Sequence, residues 1–294
     1  MSSFLIKTSQ ISKILFFLVT IALIAGLCLA FYLSRPEDNI TLIAVGDTGT
    51  GSSAQIQVGK AVAKVCKESS CDAVVILGDV IYDRGVRSVN DSKFKTHFED
   101  PYEEIEVPIY IALGNHDYLG CTECYLEYSN HSSKWKFPSF YYRQTFGEIL
   151  DLFVLDTENL SEKEQAWLEK EQKESKAAWR VAAGHHPIFT NSQVYKDAYK
   201  DKKELLLAEI CGNFDIYLAG HSHTLEYFGN ICGVEHIVSG GGGADLYEIV
   251  PNQSPFSAQS HGFVLISLNS KVLNLSFYNQ EGEKLYSYTK RKSQ

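Results

Sequence analysis

The chain has 294 residues, of which 45% are hydrophobic, enough to bury the core of one large α/β domain or two small ones and to exclude disorder as its ground state. Its formal charge is -9, and because residues 1–33 contain only Lys7 and Lys13 as charged groups, the remainder carries 25 basic against 36 acidic residues. That average field repels polyanions, and no Lys/Arg stripe interrupts it, so nucleic acid is not an expected partner.

From Ile14 to Leu33 the chain reads ILFFLVTIALIAGLCLAFYL, twenty uncharged residues, the length a helix needs to cross a bilayer. A cleavable leader has a shorter apolar core, so an uncleaved transmembrane signal anchor over 14–33 is expected. The alternative is cleavage after Ala30, which would yield a secreted protein. Lys7 and Lys13 precede the segment, while Glu37 and Asp38 follow it, so the positive-inside bias leaves residues 1–13 in the cytoplasm. It places a single domain, 38–294, outside it, in the secretory pathway, on the cell exterior or in a periplasm.

Six cysteines lie beyond that segment, an even number that fits disulfides in an oxidising compartment. Proximity in sequence favours Cys66–Cys71, Cys121–Cys124 and Cys211–Cys232 among the possible pairings. CTEC at 121–124 also reads as half a zinc site or a redox pair, but no second CxxC accompanies it. Six Asn-x-Ser/Thr sequons, starting at Asn39, Asn90, Asn130, Asn159, Asn252 and Asn274, are glycan acceptors if the source is a eukaryote.

After the link SRPEDN, strand candidates are Thr41–Val45, Ala73–Leu77, Ile109–Leu113, Leu152–Leu155, Arg180–Ala183 and Ile216–Ala219. Helical patterns fill Ser53–Lys67, Ser161–Ser175 and Val194–Cys211, the second opening with Ser161 and Glu164 in capping-box spacing. Alternating βα units imply a buried, largely parallel sheet. Past residue 224 the texture changes to short runs, Thr224–Phe228, Val234–Val238, Phe263–Leu268 and Val272–Tyr278, which predict antiparallel strands.

In an open α/β sheet, ligands bind beyond the carboxyl ends of the strands. Five predicted strands end in glycine followed by a metal-capable side chain: Gly46-Asp47, Gly78-Asp79, Gly114-Asn115-His116-Asp117, Gly184-His185-His186 and Gly220-His221-Ser222-His223. Glycine there is expected to let the backbone turn sharply, so that all five groups converge. Singly, a GD after a strand is a common turn, and the scattered His97, His131, His236 and His261 read as surface or packed residues. In order, the five motifs carry a joint signal that chance does not explain. Carboxylates, an amide oxygen and imidazoles, with no cysteine, suit hard or borderline cations. They are too many for one tetrahedral ion, but they suit two ions sharing a carboxylate.

The ordered series GD, GD, GNHD, a histidine motif and GHxH resembles the calcineurin-like metallophosphoesterases, and within them the small, tartrate-resistant purple acid phosphatases. Two details carry the narrower resemblance: Gly49 stands where general members have a histidine, and Tyr82 follows the second aspartate by three residues. The resemblance spans residues 40–280. It implies a four-layer αββα sandwich, with Asp47, Asp79, Tyr82 and His223 holding Fe(III) and Asp79, Asn115, His185 and His221 holding a divalent ion (Fe2+, Zn2+ or Mn2+). Asp79 would be the bridge, and a trivalent ion would compensate the Tyr82 phenolate.

The implied reaction is hydrolysis of a phosphate monoester, from a small molecule or a phosphoprotein, by in-line attack of a metal-bound hydroxide. His116 and His186 are the catalytic candidates for binding phosphate oxygens or protonating the leaving group. The chain departs from the family pattern in having no histidine between His186 and His221. Two readings compete: a phosphodiesterase or nucleotide pyrophosphatase on the same metals, and a catalytically silent membrane-anchored interaction module. The second predicts lost ligands, whereas all seven are present.

Overall fold

The computed structural model describes residues 39–193, 200–250 and 254–292. The expected span 14–33 lies outside the described residues, and among those described no helix is long and apolar enough to cross a membrane.

The apolar runs that follow the link form a buried sheet. Strands β1 (Ile40–Val45), β2 (Ala73–Leu77), β3 (Ile109–Ala112) and the short β4 (Trp135–Lys136) pair in parallel, in that order. Between β1 and β2 runs helix α1 (Ser53–Ser69), which starts where the Ser52 hydroxyl accepts the Gln55 N–H and stops at Ser70, in the left-handed conformation. The chain returns at its end to the free edge of β1 with β12 (Gly262–Leu268), β13 (Val272–Asn279) and β14 (Lys284–Arg291), all antiparallel. The sheet therefore has seven strands in the order β14-β13-β12-β1-β2-β3-β4.

A second seven-stranded sheet has the order β11-β9-β10-β8-β7-β6-β5. Its parallel centre is β6 (Leu150–Val154), β7 (Trp179–Ala183), β8 (Ile216–Ala219) and β10 (Val234–Ser239). Antiparallel neighbours β5 (Tyr142–Phe146), β9 (Leu225–Ile231) and β11 (Phe256–Ala258) complete it. The main apolar core takes residues from both sheets, such as Ile43 and Ile76 from the first and Val181 and Leu218 from the second, so the architecture is a mixed α/β sandwich. A second core, around Phe153, Leu168, Leu206 and Tyr217, packs helices α3 (Glu162–Glu174) and α4 (described over Lys200–Ile210) on the second sheet.

The alternating βα region is largely parallel as expected, five of its six pairings being parallel, but it is divided between two sheets. The strands past residue 224 pair antiparallel as expected, with the correction that β10 also pairs in parallel with β8. Of the helix expected over 194–211, Lys200–Ile210 is observed, and residues 194–199 lie outside the described residues. Strands β4, β5, β11 and β14 and the one-and-a-half-turn-plus helix α2 (Thr122–Tyr128) carry too little apolar periodicity to register in the sequence. All three disulfides form as the spacing favoured: Cys66–Cys71, Cys121–Cys124 and Cys211–Cys232.

Candidate metal centre

The loops after β1, β2 and β3 of one sheet meet those after β7 and β8 of the other. The Gly46 N–H donates to the Ser239 carbonyl at 2.7 Å, and His185 Nδ1 lies 2.9 Å from the Leu77 carbonyl. All seven side chains expected to bind metal converge there.

On one side, the Tyr82 hydroxyl donates to Asp79 Oδ2 at 2.8 Å, 3.2 Å from Asp47 Oδ1 and 3.1 Å from His223 Nε2. On the other, His185 Nε2 lies 3.0 Å from Asn115 Oδ1, 2.9 Å from His221 Nδ1 and 3.5 Å from the same Asp79 Oδ2. One carboxylate oxygen thus faces both groups. Backbone partners fix the orientation of each ligand. Asp79 Oδ1 takes the His116 N–H at 2.9 Å, and Asp47 Oδ2 takes the His221 N–H at 2.7 Å. The carbonyls of Leu77 and Asp245 accept from Nδ1 of His185 and His223, at 2.9 and 2.6 Å, which turns the Nε2 atoms inward.

The glycines at the strand ends work differently from the expectation. Of the strand-end glycines only Gly78 is left-handed, at φ 84°; four ligands themselves take positive φ, 58° at Asp47, 51° at Asp79, 66° at His221 and 44° at His223, whereas Asn115 and His185 do not. The remaining glycines allow close approach. A Cβ on Gly114 would sit 2.2 Å from Asp79 Oδ1, and one on Gly220 would sit 2.7 Å from the Leu77 carbonyl. Gly49 belongs with them, because its Cβ would fall 1.9 Å from the Val80 carbonyl and its own carbonyl accepts the Tyr82 N–H. The loop that delivers Tyr82 occupies the space that a side chain at 49 would need.

Asp47 and Asp79 are buried, and their ion-pair partners among the described residues are histidines, with neither Lys nor Arg in contact. Burial, then Asp47 and Asp79, drives the Tyr82 phenol far above its usual range. Burial opposes protonation of His185 and His223, yet the neighbouring aspartates prevail and raise both. His221 goes the other way, held well below the usual range by burial and then by His185. Two buried carboxylates and a buried phenol whose proton they help to hold form a donor set that fits cations. His, Asp and Glu ligand atoms also cluster in two groups, one of Asp47, Asp79 and His223 and one of His185, His221 and His186, the last not among the seven expected ligands.

The two histidines expected to be catalytic occupy different places. His116 stands at the rim with its side chain 33% exposed; Nδ1 meets the Asp83 carbonyl at 2.6 Å, and Nε2 lies 4.0 Å from Asp79 Oδ2. His186 is buried, with its ring 4.6 Å from that of His221, Nδ1 3.1 Å from Thr157 Oγ1 and Nε2 3.3 Å from Glu158 Oε2. Burial, then His185, keeps it well below the ordinary histidine range and therefore neutral.

Two supporting residues escaped the sequence reading of roles. Asp117, buried in the GNHD motif, accepts N–H donors from Val80, Ile81 and Gly114 and the Tyr125 hydroxyl, and so ties the second and third strand-end loops together. Burial, then Asp79, pushes it up to about 7. Thr157 Oγ1 accepts the N–H of both His185 and His186 at 3.0 Å. Its signal was a sixth strand end, after β6, that carries no glycine.

Residues 40–225 match the calcineurin-like phosphoesterase family. The chain is 27% identical to tartrate-resistant acid phosphatase type 5 of Rattus norvegicus over 86% of this chain and 90% of that protein. It is 28% identical to purple acid phosphatase 4 of Arabidopsis thaliana, over 94% of this chain and 91% of that one. Its fold is similar to the solved structure described as GAP50, the anchor in the inner membrane complex of Plasmodium, with a TM-score of 0.75 at 21% identity, covering 87% and 90% of the two chains.

Proposed function

The chain belongs to the calcineurin-like phosphoesterase family, and from that premise we propose that it is a dinuclear acid phosphatase of the purple type, hydrolysing phosphate monoesters. The observation that carries this reading is the single oxygen, Asp79 Oδ2, 2.8 Å from the Tyr82 hydroxyl and 3.5 Å from His185 Nε2. Asp47, Asp79, Tyr82 and His223 would hold the first ion. Asp79, Asn115, His185 and His221 would hold the second. A buried phenol between two carboxylates favours Fe(III) at the first position, and imidazoles with an amide oxygen suit Fe2+, Zn2+ or Mn2+ at the second. When bound, the ions supply Lewis acidity, offsetting phosphate charge and easing ionisation of water.

The protein's own groups do the positioning. Hydrolysis joins a water oxygen to phosphorus and breaks the ester P–O bond, and the departing alkoxide needs a proton. His116 is the exposed imidazole at the rim, and its Nδ1–H is held by the Asp83 carbonyl, so Nε2 is the atom turned toward substrate. His186, neutral and buried behind His221, is assigned an orienting part instead: Thr157 Oγ1 meets its Nδ1, and its ring packs against the ligand ring. The apolar stretch 14–33 and the three disulfides support placement of the domain in an oxidising compartment, anchored to a membrane.

Metal analysis with an absorption spectrum tests the reading. The purified protein should contain iron and a divalent ion and show a visible charge-transfer band that is absent in Tyr82→Phe. A colourless, fully active zinc or manganese protein would refute iron and leave the phosphatase standing. Faster turnover of bis(p-nitrophenyl) phosphate than of p-nitrophenyl phosphate would replace the monoesterase by a diesterase.

A further inference from the structure

Beside the metal centre lies a cleft of ≈ 520 Å³, whose lining includes Asp83, Arg84, Arg87, Lys93 and Leu119. It opens between two segments that leave the site directly. One follows Tyr82, and the other follows His116. Asp83 belongs to both places, since its carbonyl meets His116 Nδ1 at 2.6 Å while it lines the cleft. The walls are fixed by backbone contacts: the Cys121 N–H donates to the Val86 carbonyl at 2.7 Å, and a Cβ on Gly120 would be 2.6 Å from that same oxygen.

Three cations against one carboxylate line this cleft, in a chain whose net charge is -9. Arg84 and Arg87 are exposed, and among the described residues neither guanidinium makes a hydrogen bond or an ion pair; the Asp91 carboxylate accepts the backbone N–H of Arg87 and of Lys93, at 2.9 and 3.0 Å, and reaches their side-chain charges only through its field. Lys93 Nζ donates to the carbonyls of Tyr82 and Gly85 at 2.9 and 3.1 Å, so its charge is anchored to the loop and left unneutralised by any acid within ion-pair distance. Leu119, 57% exposed, offers an apolar surface beside them. Guanidinium forks match phosphate oxygens in pairs, and Lys93, already anchored by two carbonyls, adds its charge without an ordering penalty.

We propose that this cleft is the leaving-group subsite and that it selects phosphate monoesters whose alcohol carries a second phosphate, held by Arg84 and Arg87 over Lys93. The proposal rests on the phosphatase reading and names the substrate class of the same site. The scissile phosphate sits at the metal centre, the carbon skeleton crosses His116 toward Leu119, and the distal phosphate reaches the arginines.

The test uses the full, metal-loaded chain and the ratio of kcat/KM for fructose 1,6-bisphosphate to that for fructose 6-phosphate, with p-nitrophenyl phosphate as reference. At low ionic strength the wild-type ratio should be about tenfold or more, the size of one charge-assisted contact, and should shrink as salt is added. In Arg84→Gln/Arg87→Gln the ratio should fall to about two, the statistical value for two equivalent phosphates, while Arg84→Lys/Arg87→Lys retains part of it. A structural disturbance would lower both rates and leave the ratio intact, so a ratio unchanged in the Gln variant, or near two in the wild type, overturns the subsite. Turnover of p-nitrophenyl phosphate with a flat ratio removes the subsite alone. No turnover of any monoester by the metal-loaded wild type removes the phosphatase reading and the subsite with it.

Discussion

A carboxylic acid buried with one oxygen satisfied and the other not will hold its proton, and Glu164 is in that position. Its Oε1 accepts the Asp156 N–H at 2.8 Å, while Oε2 meets no donor among the described residues. Burial, then the charge of Asp156, pushes its pKa up to about 9 from the ordinary 4.5. The folded state thus binds this proton more tightly than the unfolded chain does, so the stabilisation is full below about pH 4.5 and is lost as pH rises toward 9. The expected slope is of order 1 kcal/mol per pH unit across that window, or a few degrees in Tm. Glu164→Gln keeps the acceptor and cannot ionise; its Tm from pH 5 to 8.5 should be flatter than the wild type's, and parallel curves would contradict the assignment. The spacing of Ser161 and Glu164 announced a capping box, and half of one exists, since the Ser161 hydroxyl accepts the Glu164 N–H at 3.3 Å. The other half was not legible, because whether a glutamate reaches back to its cap or inward to a neighbouring strand end depends on the packing of α3 on the second sheet.

At the scale of elements, the strand ends were the readable part. A run such as AVVIL followed by Gly-Asp announces both a strand and a group at its carboxyl end, because buried strand and tight turn each leave a compositional trace. What the sequence left open was why glycine stands there, since close approach between loops distant in sequence has no local signature. Gly114 makes this testable. A methyl group there would lie 2.2 Å from Asp79 Oδ1 and 2.5 Å from Asp79 N, so it must push the shared carboxylate away from its place. Gly114→Ala should fold with an unchanged far-UV spectrum yet lose metal and about a hundredfold in kcat, the scale of an ångström's misplacement. Full metal content in that variant would mean that the loop absorbs the methyl group elsewhere. The C-terminal hairpin was legible only in part: β13 has an apolar face, whereas β14, KLYSYTKR, offers Tyr286 and Tyr288 among charged and polar residues and is held as an edge by their packing on Phe256 and Tyr227.

Across the whole molecule the ligands divide by sheet. Asp47, Asp79, Tyr82 and Asn115 leave β1, β2 and β3 of the first; His185, His221 and His223 leave β7 and β8 of the second. The direct links between the two sheets at this end are polar, among them the His221 N–H on Asp47, at 2.7 Å, the Gly46 N–H on the Ser239 carbonyl, at 2.7 Å, and His185 Nδ1 on the Leu77 carbonyl, at 2.9 Å. Cations bound among these side chains would staple one sheet to the other and compensate carboxylates whose ion-pair partners among the described residues are otherwise histidines. Ions that bind the native state and not the unfolded chain add about 2.7 kcal/mol at a hundredfold excess over Kd, which in a domain of this size raises Tm by roughly 5–10 °C. Removal of metal by a chelator should lower Tm by that amount, and restoring the ions should recover it. Asp79→Asn, which weakens the group common to both sites, should start near the chelated value and respond little to either treatment. Equal Tm values with and without chelator, in a protein shown by analysis to lose and regain its ions, would mean that the sandwich closes through its apolar core alone and that the ions serve the chemistry without holding the sheets.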